Sequence, residues 1–404
     1  MKTRHDDWIN CLLGDVVTLK RGYDLPLSQR QDGPYPVITS SGHTGFHREA
    51  KVKGPGVVTG RYGTLGEVYF IENDFWPHNT VLYVQDFKGN HPRFVSYFLM
   101  ALNFGTQNAA AAVPGVNRNF LHMIPVRVPP LPIQRRIAGI LSAYDELIEN
   151  SQRRIRILEA MARGLYREWF VHFRFPGHAD SPRVASALGE IPAGWEVRRL
   201  ELLMANHIGG GWGKDTPDES HTEPAWVIRG TDIPDARSSQ VTGVPHRYHT
   251  PSNLRSRRLS TGDIVFEVSG GSKGQPVGRT LLITPELRSA FDGDVICASF
   301  CKRIRPDSDG YGSELLYLSF LEGYESGEIE QFQVQSTGIS NFKWTEYISK
   351  VERIVPSEPL RARFHLQVAP IFTQIATLGL QIQTLRRTRD LLLPRLLAGQ
   401  VEIS

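Results

Sequence analysis

Residues 137–169 read IAGILSAYDELIENSQRRIRILEAMARGLYREW. Ile137, Leu141, Tyr144, Ile148, Ser151, Ile155, Leu158, Ala162, Leu165 and Trp169 follow one another at gaps of four and three without a break, and Ser151 is the single polar member. Adding 227 to each number gives a second such series: Phe364, Val368, Ile371, Ile375, Leu378, Ile382, Leu385, Arg389, Leu392 and Leu396, with Arg389 the single exception. The prolines ahead of the series match at the same offset, Pro129 with Pro356 and Pro132 with Pro359. A 3.5-residue apolar period over more than four heptads predicts a long helix that buries one stripe against another helix. Two stripes in one register predict that each helix is the other's partner. An antiparallel pair, with globular domains at opposite ends about a pseudo-twofold axis, fits the repeat. Each seam would span roughly 50 Å at about 1.5 Å per residue.

A chain of 404 residues exceeds what one core supports. The net charge of +4 is compatible with a nucleic-acid partner without arguing for one. Basic residues are mostly arginine, which suits phosphate and guanine-edge contacts. The three cysteines, Cys11, Cys297 and Cys301, form no disulfide framework, as expected of a reducing, cytoplasmic setting. Cys297 and Cys301 do not have the spacing that a zinc site with His246 and His249 would use. No apolar stretch reaches membrane-spanning length, and MKTRHDDW does not open a signal peptide.

Along the chain, residues 1–130 form a first globular domain, with strand-like runs at 35–39, 57–59, 68–71 and 80–84 and a helix over 92–104. The first long helix covers 131–173. Residues 174–194, rich in Pro, Gly, Ala and Ser, are expected to be a linker. A second globular domain occupies 195–356 and echoes the first: Trp8, Leu13 and Gly22 match Trp195, Leu200 and Gly209 at an offset of 187. The second long helix and a C-terminal tail fill 357–404, with Pro394 and Gly399 expected to end or kink the helix. The architecture is a tandem repeat of one unit, globular domain then helix.

Two similar frames with different fillings, held on a rigid strut, suit a bipartite and asymmetric site on double-stranded DNA. Glycine-rich turns let backbone and short polar side chains approach phosphates and base edges. The DNA-binding candidates are Arg21, Ser41, His43, Arg61, Tyr62, Thr64, Asn117 and Arg118 in the first domain. In the second they are Lys214, Arg229, Ser269, Ser272, Lys273 and Asn341. Catalytic signatures are missing. Val128 and Leu131 flank Pro129-Pro130 where an amino-methyltransferase loop needs an amide or carboxylate and an aromatic. Ser272-Lys273-Gly274 lacks Walker spacing, and Glu267 replaces the first glycine of a GxSxG elbow around Ser269. The alternative from another class is a coiled-coil tethering protein whose end domains bind proteins; it shares the heptads but leaves the polar, glycine-rich turns unexplained.

Several segments together resemble the specificity (S) subunit of type I restriction–modification systems over essentially the whole chain. They are Leu13–Val17 with Arg21-Gly22-Tyr23, Tyr35–Ile38 with Ser40-Ser41-Gly42, Gly54–Thr64, Val113–Asn119, Pro129–Gln134, Leu158–Ala162 and Arg389–Leu396. The resemblance implies an α+β fold: two mixed α/β target-recognition domains in pseudo-twofold arrangement, separated by a pair of long antiparallel coiled-coil helices. It implies a non-catalytic chain that binds no cofactor itself. Its partners would be double-stranded DNA, two modification (methyltransferase) subunits using S-adenosylmethionine on adenine N6, and two restriction subunits using ATP and Mg. The second domain lacks the Gly60-Arg61 pair of the first, and Arg361 stands where the first helix has Gln134. Arg389 in a seam position is expected to pair with a carboxylate or to meet a partner.

Overall fold

A computed structural model describes residues 8–61, 67–102, 117–270, 276–307, 311–336 and 339–401. Contacts divide the chain into two compact units, residues 1–148 with 385–404, and residues 149–384, so the boundary falls inside both long helices.

The first unit runs β1 (Ile9–Leu12), α1 (Leu13–Val16), β2 (Thr18–Arg21), β3 (Tyr35–Thr39), β4 (Gly42–His47), β5 (Gly56–Gly60), β6 (Val68–Ile71), β7 (Trp76–Pro77), β8 (Val81–Asp86), α2 (Pro92–Leu102), α3 (Arg118–His122), β9 (Pro125–Val128) and the start of α4 (Leu131–Tyr166). One antiparallel sheet has the order β2-β8-β5-β6, a second has the order β4-β3-β7 with β3 and β7 parallel, and β1 pairs with β9. The β5 stretch GVVTG is buried throughout, as a short apolar run in a central strand should be.

The second unit holds the rest of α4, a π-type turn over Arg167–Val171, and then β10 (Arg183–Ser186), β11 (Gly189–Pro192), β12 (Glu196–Arg199), β13 (Met204–Gly209), β14 (Glu223–Ile228), α5 (Ile233–Ala236), β15 (His246–His249), α6 (Pro251–Arg257), β16 (Ile264–Glu267), β17 (Ser269–Gly270), β18 (Thr280–Leu282), α7 (Pro285–Ser289), β19 (Asp294–Cys297), β20 (Cys301–Pro306), α8 (Ser313–Glu325), β21 (Gln333–Ser336), β22 (Ile339–Phe342), α9 (Trp344–Lys350), β23 (Glu352–Val355) and most of α10 (Glu358–Leu397). Its sheets repeat those of the first unit: β13-β20-β16-β18, β15-β14-β19 with β14 and β19 parallel, and β12 with β23. A further sheet, β17-β22-β21, is present in this unit.

The repeat fixes which residues correspond. Leu13 donates its N–H to Ile124 and Leu200 donates to Val351, an offset of 187 at the start. The register of β13 on β20 slips between Met204 and Asn206, where one extra residue enters the strand. After that bulge Arg21 faces Leu82 while Gly209 faces Lys302, and the N–H groups of Gly22 and Gly210 reach Val81 and Cys301. Gly22 therefore corresponds to Gly210 and not to Gly209.

The seam positions face inward. Ile137, Leu141, Ile148, Ser151, Ile155, Ala162 and Trp169 are buried, and Tyr144, Leu158 and Leu165 half-buried. On α10, Phe364, Val368, Ile375, Leu378, Ile382 and Leu396 are buried, with Ile371, Leu385, Arg389 and Leu392 half-buried. In the first unit, Ile133, Ile137 and Leu141 from the start of α4 share a core with Leu393 and Leu396 from the end of α10. In the second unit, Ala162, Tyr166 and Trp169 from the end of α4 share a core with Phe364 and Val368 from the start of α10. Within each unit the contacts have the sense of an antiparallel pair. Each core also takes in the globular part, through Leu19, Val57, Leu82, Phe94 and Phe98 in the first unit and Trp195, Phe266, Phe320 and Tyr347 in the second. Burying such a side chain contributes about 1.5–3 kcal/mol, so helix ends and sheets hold one another in place.

Two further expectations change. Residues 174–194 are folded: β10 and β11 pair as a hairpin, and Phe175, Ile191 and Trp195 are buried in the core of the second unit. Apolar anchors at the two edges of the small-residue stretch dock it. Pro394 does not end α10, which continues to Leu397 before Gly399 takes φ +67°.

Candidate nucleic-acid interface

In the first unit the parallel strands β3 and β7 deliver the chain to the same edge. A tight turn, His78–Val81, closed by the N–H of Val81 on His78 O at 3.1 Å, then starts β8. Three segments converge on this turn. Gly22 donates to Val81 O at 3.1 Å and Tyr23 to Pro77 O at 2.8 Å. His78 donates to Ile38 O at 2.8 Å, the N–H of Ser40 reaches Thr80 Oγ1 at 3.2 Å, and Arg61 donates to Thr80 O at 3.0 Å. The turn thereby gathers the candidates Arg21, Ser41 and Arg61 around itself. Thr80 Oγ1 also lies 3.2 Å from His78 Nδ1, and Asn79 donates to Asp24. Burial, with Arg30 adding to it, holds His78 below the ordinary imidazole value against a smaller opposing pull from Asp24.

The second unit builds the same device from other residues. The turn Ala298–Cys301 is closed by the N–H of Cys301 on Ala298 O at 2.8 Å. Gly210 donates to Cys301 O, Gly211 to Cys297 O and Ala298 to Ile228 O, at 2.8–2.9 Å. The N–H groups of Val268 and Ser269 both reach Phe300 O, at 2.9 and 3.2 Å. Arg229, directly after β14, and Ser269 are the candidates brought to this turn, and Ser269 Oγ donates to Asn341 Oδ1 at 2.8 Å. Where the first unit has Gly60, facing Val81, the second has Glu267, facing Cys301. Glu267 is 2% exposed and takes Arg279 in a bidentate pair at 2.5 and 2.8 Å.

The remaining candidates sit differently. Exposed His43 lies edge-on to Phe46, with ring centroids 4.7 Å apart. Asn117 caps α3 by accepting the N–H of Asn119 at 2.9 Å, and Arg118 is exposed on the first turn of that helix. The helix is tied to β2 by the N–H of Leu19 on His122 Nε2 at 2.9 Å. Three cations already have carboxylates: Arg21 with Asp24 at 3.5 Å, Arg229 with Asp232 at 2.7 Å and Lys214 with Asp218 at 2.5 Å. Arg21 and Lys214 are exposed, and exposed pairs are screened by solvent, so a phosphate competes for these cations at small cost. Tyr62, Thr64, Ser272 and Lys273 lie outside the described residues. The residues that sequence reasoning missed are the turns themselves, His78-Asn79-Thr80 and Ala298-Ser299-Phe300.

Residues 5–160 match the family model described as "Type I restriction modification DNA specificity domain". The chain is 24% identical over 301 residues to the type I restriction enzyme MjaIX specificity subunit of Methanocaldococcus jannaschii, covering 73% of this chain and 65% of that protein. It is 22% identical over 350 residues to the HindI specificity subunit of Haemophilus influenzae, covering 73% of each. The crystal structure of a type I restriction–modification S subunit from M. genitalium superposes with a TM-score of 0.58 at 13% identity, over 98% of both chains, which is a likeness of fold. By sequence, residues 5–160 match that DNA specificity domain, and over 73% of its length the chain is similar to specificity subunits of type I restriction enzymes.

Proposed function

We propose that this chain addresses a type I restriction–modification complex to DNA. Each globular domain reads one half of an asymmetric bipartite target, and the α4–α10 pair sets the interval between the halves. The outer helix faces dock two modification subunits that carry S-adenosylmethionine and methylate adenine; restriction subunits, with their ATP and Mg, join that assembly. The chain itself supplies address and no chemistry.

The observation that carries this reading is the repetition of one strand order and one tight turn with unlike side chains on it. His-Asn-Thr stands in the first unit where Ala-Ser-Phe stands in the second. A frame kept while its tip is changed is what two different half-sites require. Exchange of residues 195–356 for the corresponding domain of another such subunit tests it, with methylation mapped across the host genome. A bipartite motif in which one half alone changes is expected; a motif changed in both halves, or no motif, refutes the reading. Binding of the assembled complex to duplex should also weaken steeply with salt.

A further inference from the structure

Phe300 is 57% exposed, although both cysteines around its turn, Cys297 and Cys301, are fully buried. An exposed large apolar side chain is ordinary on a mobile surface. Phe300 stands on a fixed one. Its turn is closed at 2.8 Å, its own carbonyl accepts two N–H groups, and the flanking strands are held by Gly210 and Gly211. The ring is thus displayed from a backbone with little freedom, beside the exposed Asn341 and its partner Ser269.

The first unit shows what this position does without an aromatic. Arg61, next after Gly60, donates to Thr80 O as Val268, next after Glu267, donates to Phe300 O, so Thr80 and Phe300 correspond. Thr80 is half-buried and turns its hydroxyl inward, to the N–H of Ser40 and to His78. Phe300 has no polar atom to turn inward. A ring presented to a duplex does not read a donor–acceptor pattern; in the groove it meets a thymine methyl, and it meets a base face where it wedges into a base step.

We propose that Phe300 is a specificity-determining residue of the second domain, packing its ring on a base of the second half-site. This rests on the DNA reading above. The test uses the chain assembled with its modification subunits and a duplex carrying the mapped target. Phe300→Ala should melt and assemble as the parent does, because the ring is exposed. It should bind the target roughly five- to a hundredfold more weakly, the range for losing one base–aromatic contact. On a duplex with the second half-site scrambled, the difference between variant and parent should vanish, while discrimination in the first half-site stays as it was.

Affinity unchanged within about twofold overturns the proposal, as does an equal loss on the scrambled duplex. A variant that melts normally but no longer assembles would place the ring at a protein interface and also overturns it. If the parent complex binds no duplex, the functional reading itself falls, and that outcome is seen before any variant is made.

Discussion

Arg389 on α10 places Nη1 2.6 Å from Asp145 Oδ1 on α4, and Tyr97 on α2 donates to the other oxygen of the same carboxylate. Three helices of the first unit meet on one charge. In the second unit the positions 227 residues away from Asp145 and Arg389 hold Phe372 and Ala162, and Tyr317 on α8 packs edge-on to Phe372 at 5.8 Å. One unit closes this junction with ions and the other with an aromatic. Arg389 and Asp145 are 24% and 29% exposed, so the pair is partly screened. Asp145→Leu leaves Arg389 paired with Asp390 alone and takes away the acceptor of the Tyr97 hydroxyl, and should cost about 1–3 kcal/mol in urea unfolding. The double change Asp145→Leu with Arg389→Leu should recover the part of that loss that comes from the ion pair and leave the part that comes from the Tyr97 hydroxyl. Arg389→Leu alone with unchanged stability and assembly would show that the pair contributes nothing.

Gly22 and Gly210 are required by the turns they touch. A Cβ on Gly22 would lie 2.1 Å from the carbonyl oxygen of His78, and one on Gly210 2.2 Å from those of Ala298 and Cys297. Backbone cannot step aside as a side-chain end can, so each Gly→Ala change displaces its own turn. Gly22→Ala should raise the methylation of duplexes mutated in the first half-site relative to the cognate target, and Gly210→Ala should do so for the second half-site. Stability should fall by about 1–3 kcal/mol in each case. Equal effects of either variant on both half-sites would disconnect the turns from reading.

The helices were legible because a seam repeats many times and tolerates one exception; burial of Ser151 and half-burial of Arg389 leave the period intact. The strands at 35–39, 57–59 and 68–71 were legible from short apolar runs between glycines. The match of Gly22 to Gly209 failed on one inserted residue near Ala205, because a bulge changes register without a mark in composition. The turns at His78 and Ala298 escaped for a related reason. Neither contains glycine, and their tightness comes from hydrogen bonds to Gly22, Arg61, Gly210 and Ser269, all distant in sequence. Arg229 and Lys214 stand among the DNA-binding candidates, and Asp232 and Asp218, three and four residues on, pair with them.

Acid should weaken the fold from near pH 6.5 downward. His78, His91, His122, His207 and His249 are all lowered from an ordinary 6.5, each chiefly by burial. The folded state therefore prefers the neutral rings, while the unfolded chain takes up protons once pH falls through about 6.5. This stabilisation is complete above that pH and is lost below it. The melting temperature should be level between pH 8 and 7 and fall between pH 6.5 and 5.5. His249→Gln, at a ring 1% exposed, should flatten part of the fall. A melting temperature that does not change across the whole range would contradict the depressed values.

The cysteines give a local probe of the second turn. Burial pushes the Cys297 thiol up to about 12 and raises that of Cys301, while Cys11, half-buried, is raised by burial and then by Asp15. The thiolate is the reacting species, so at pH 8 neither Cys297 nor Cys301 should react with a disulfide probe in the native protein. In denaturant all three cysteines should react. Because Cys297 and Cys301 bracket the turn that carries Phe300, their labelling rate at low urea measures how often that turn opens. It should track global unfolding, since both thiols belong to one buried cluster with Ile228, Val265 and Leu281. Labelling of either thiol well ahead of global unfolding would mean that the turn breathes on its own, and a ring carried on it would not be held in place to meet a base.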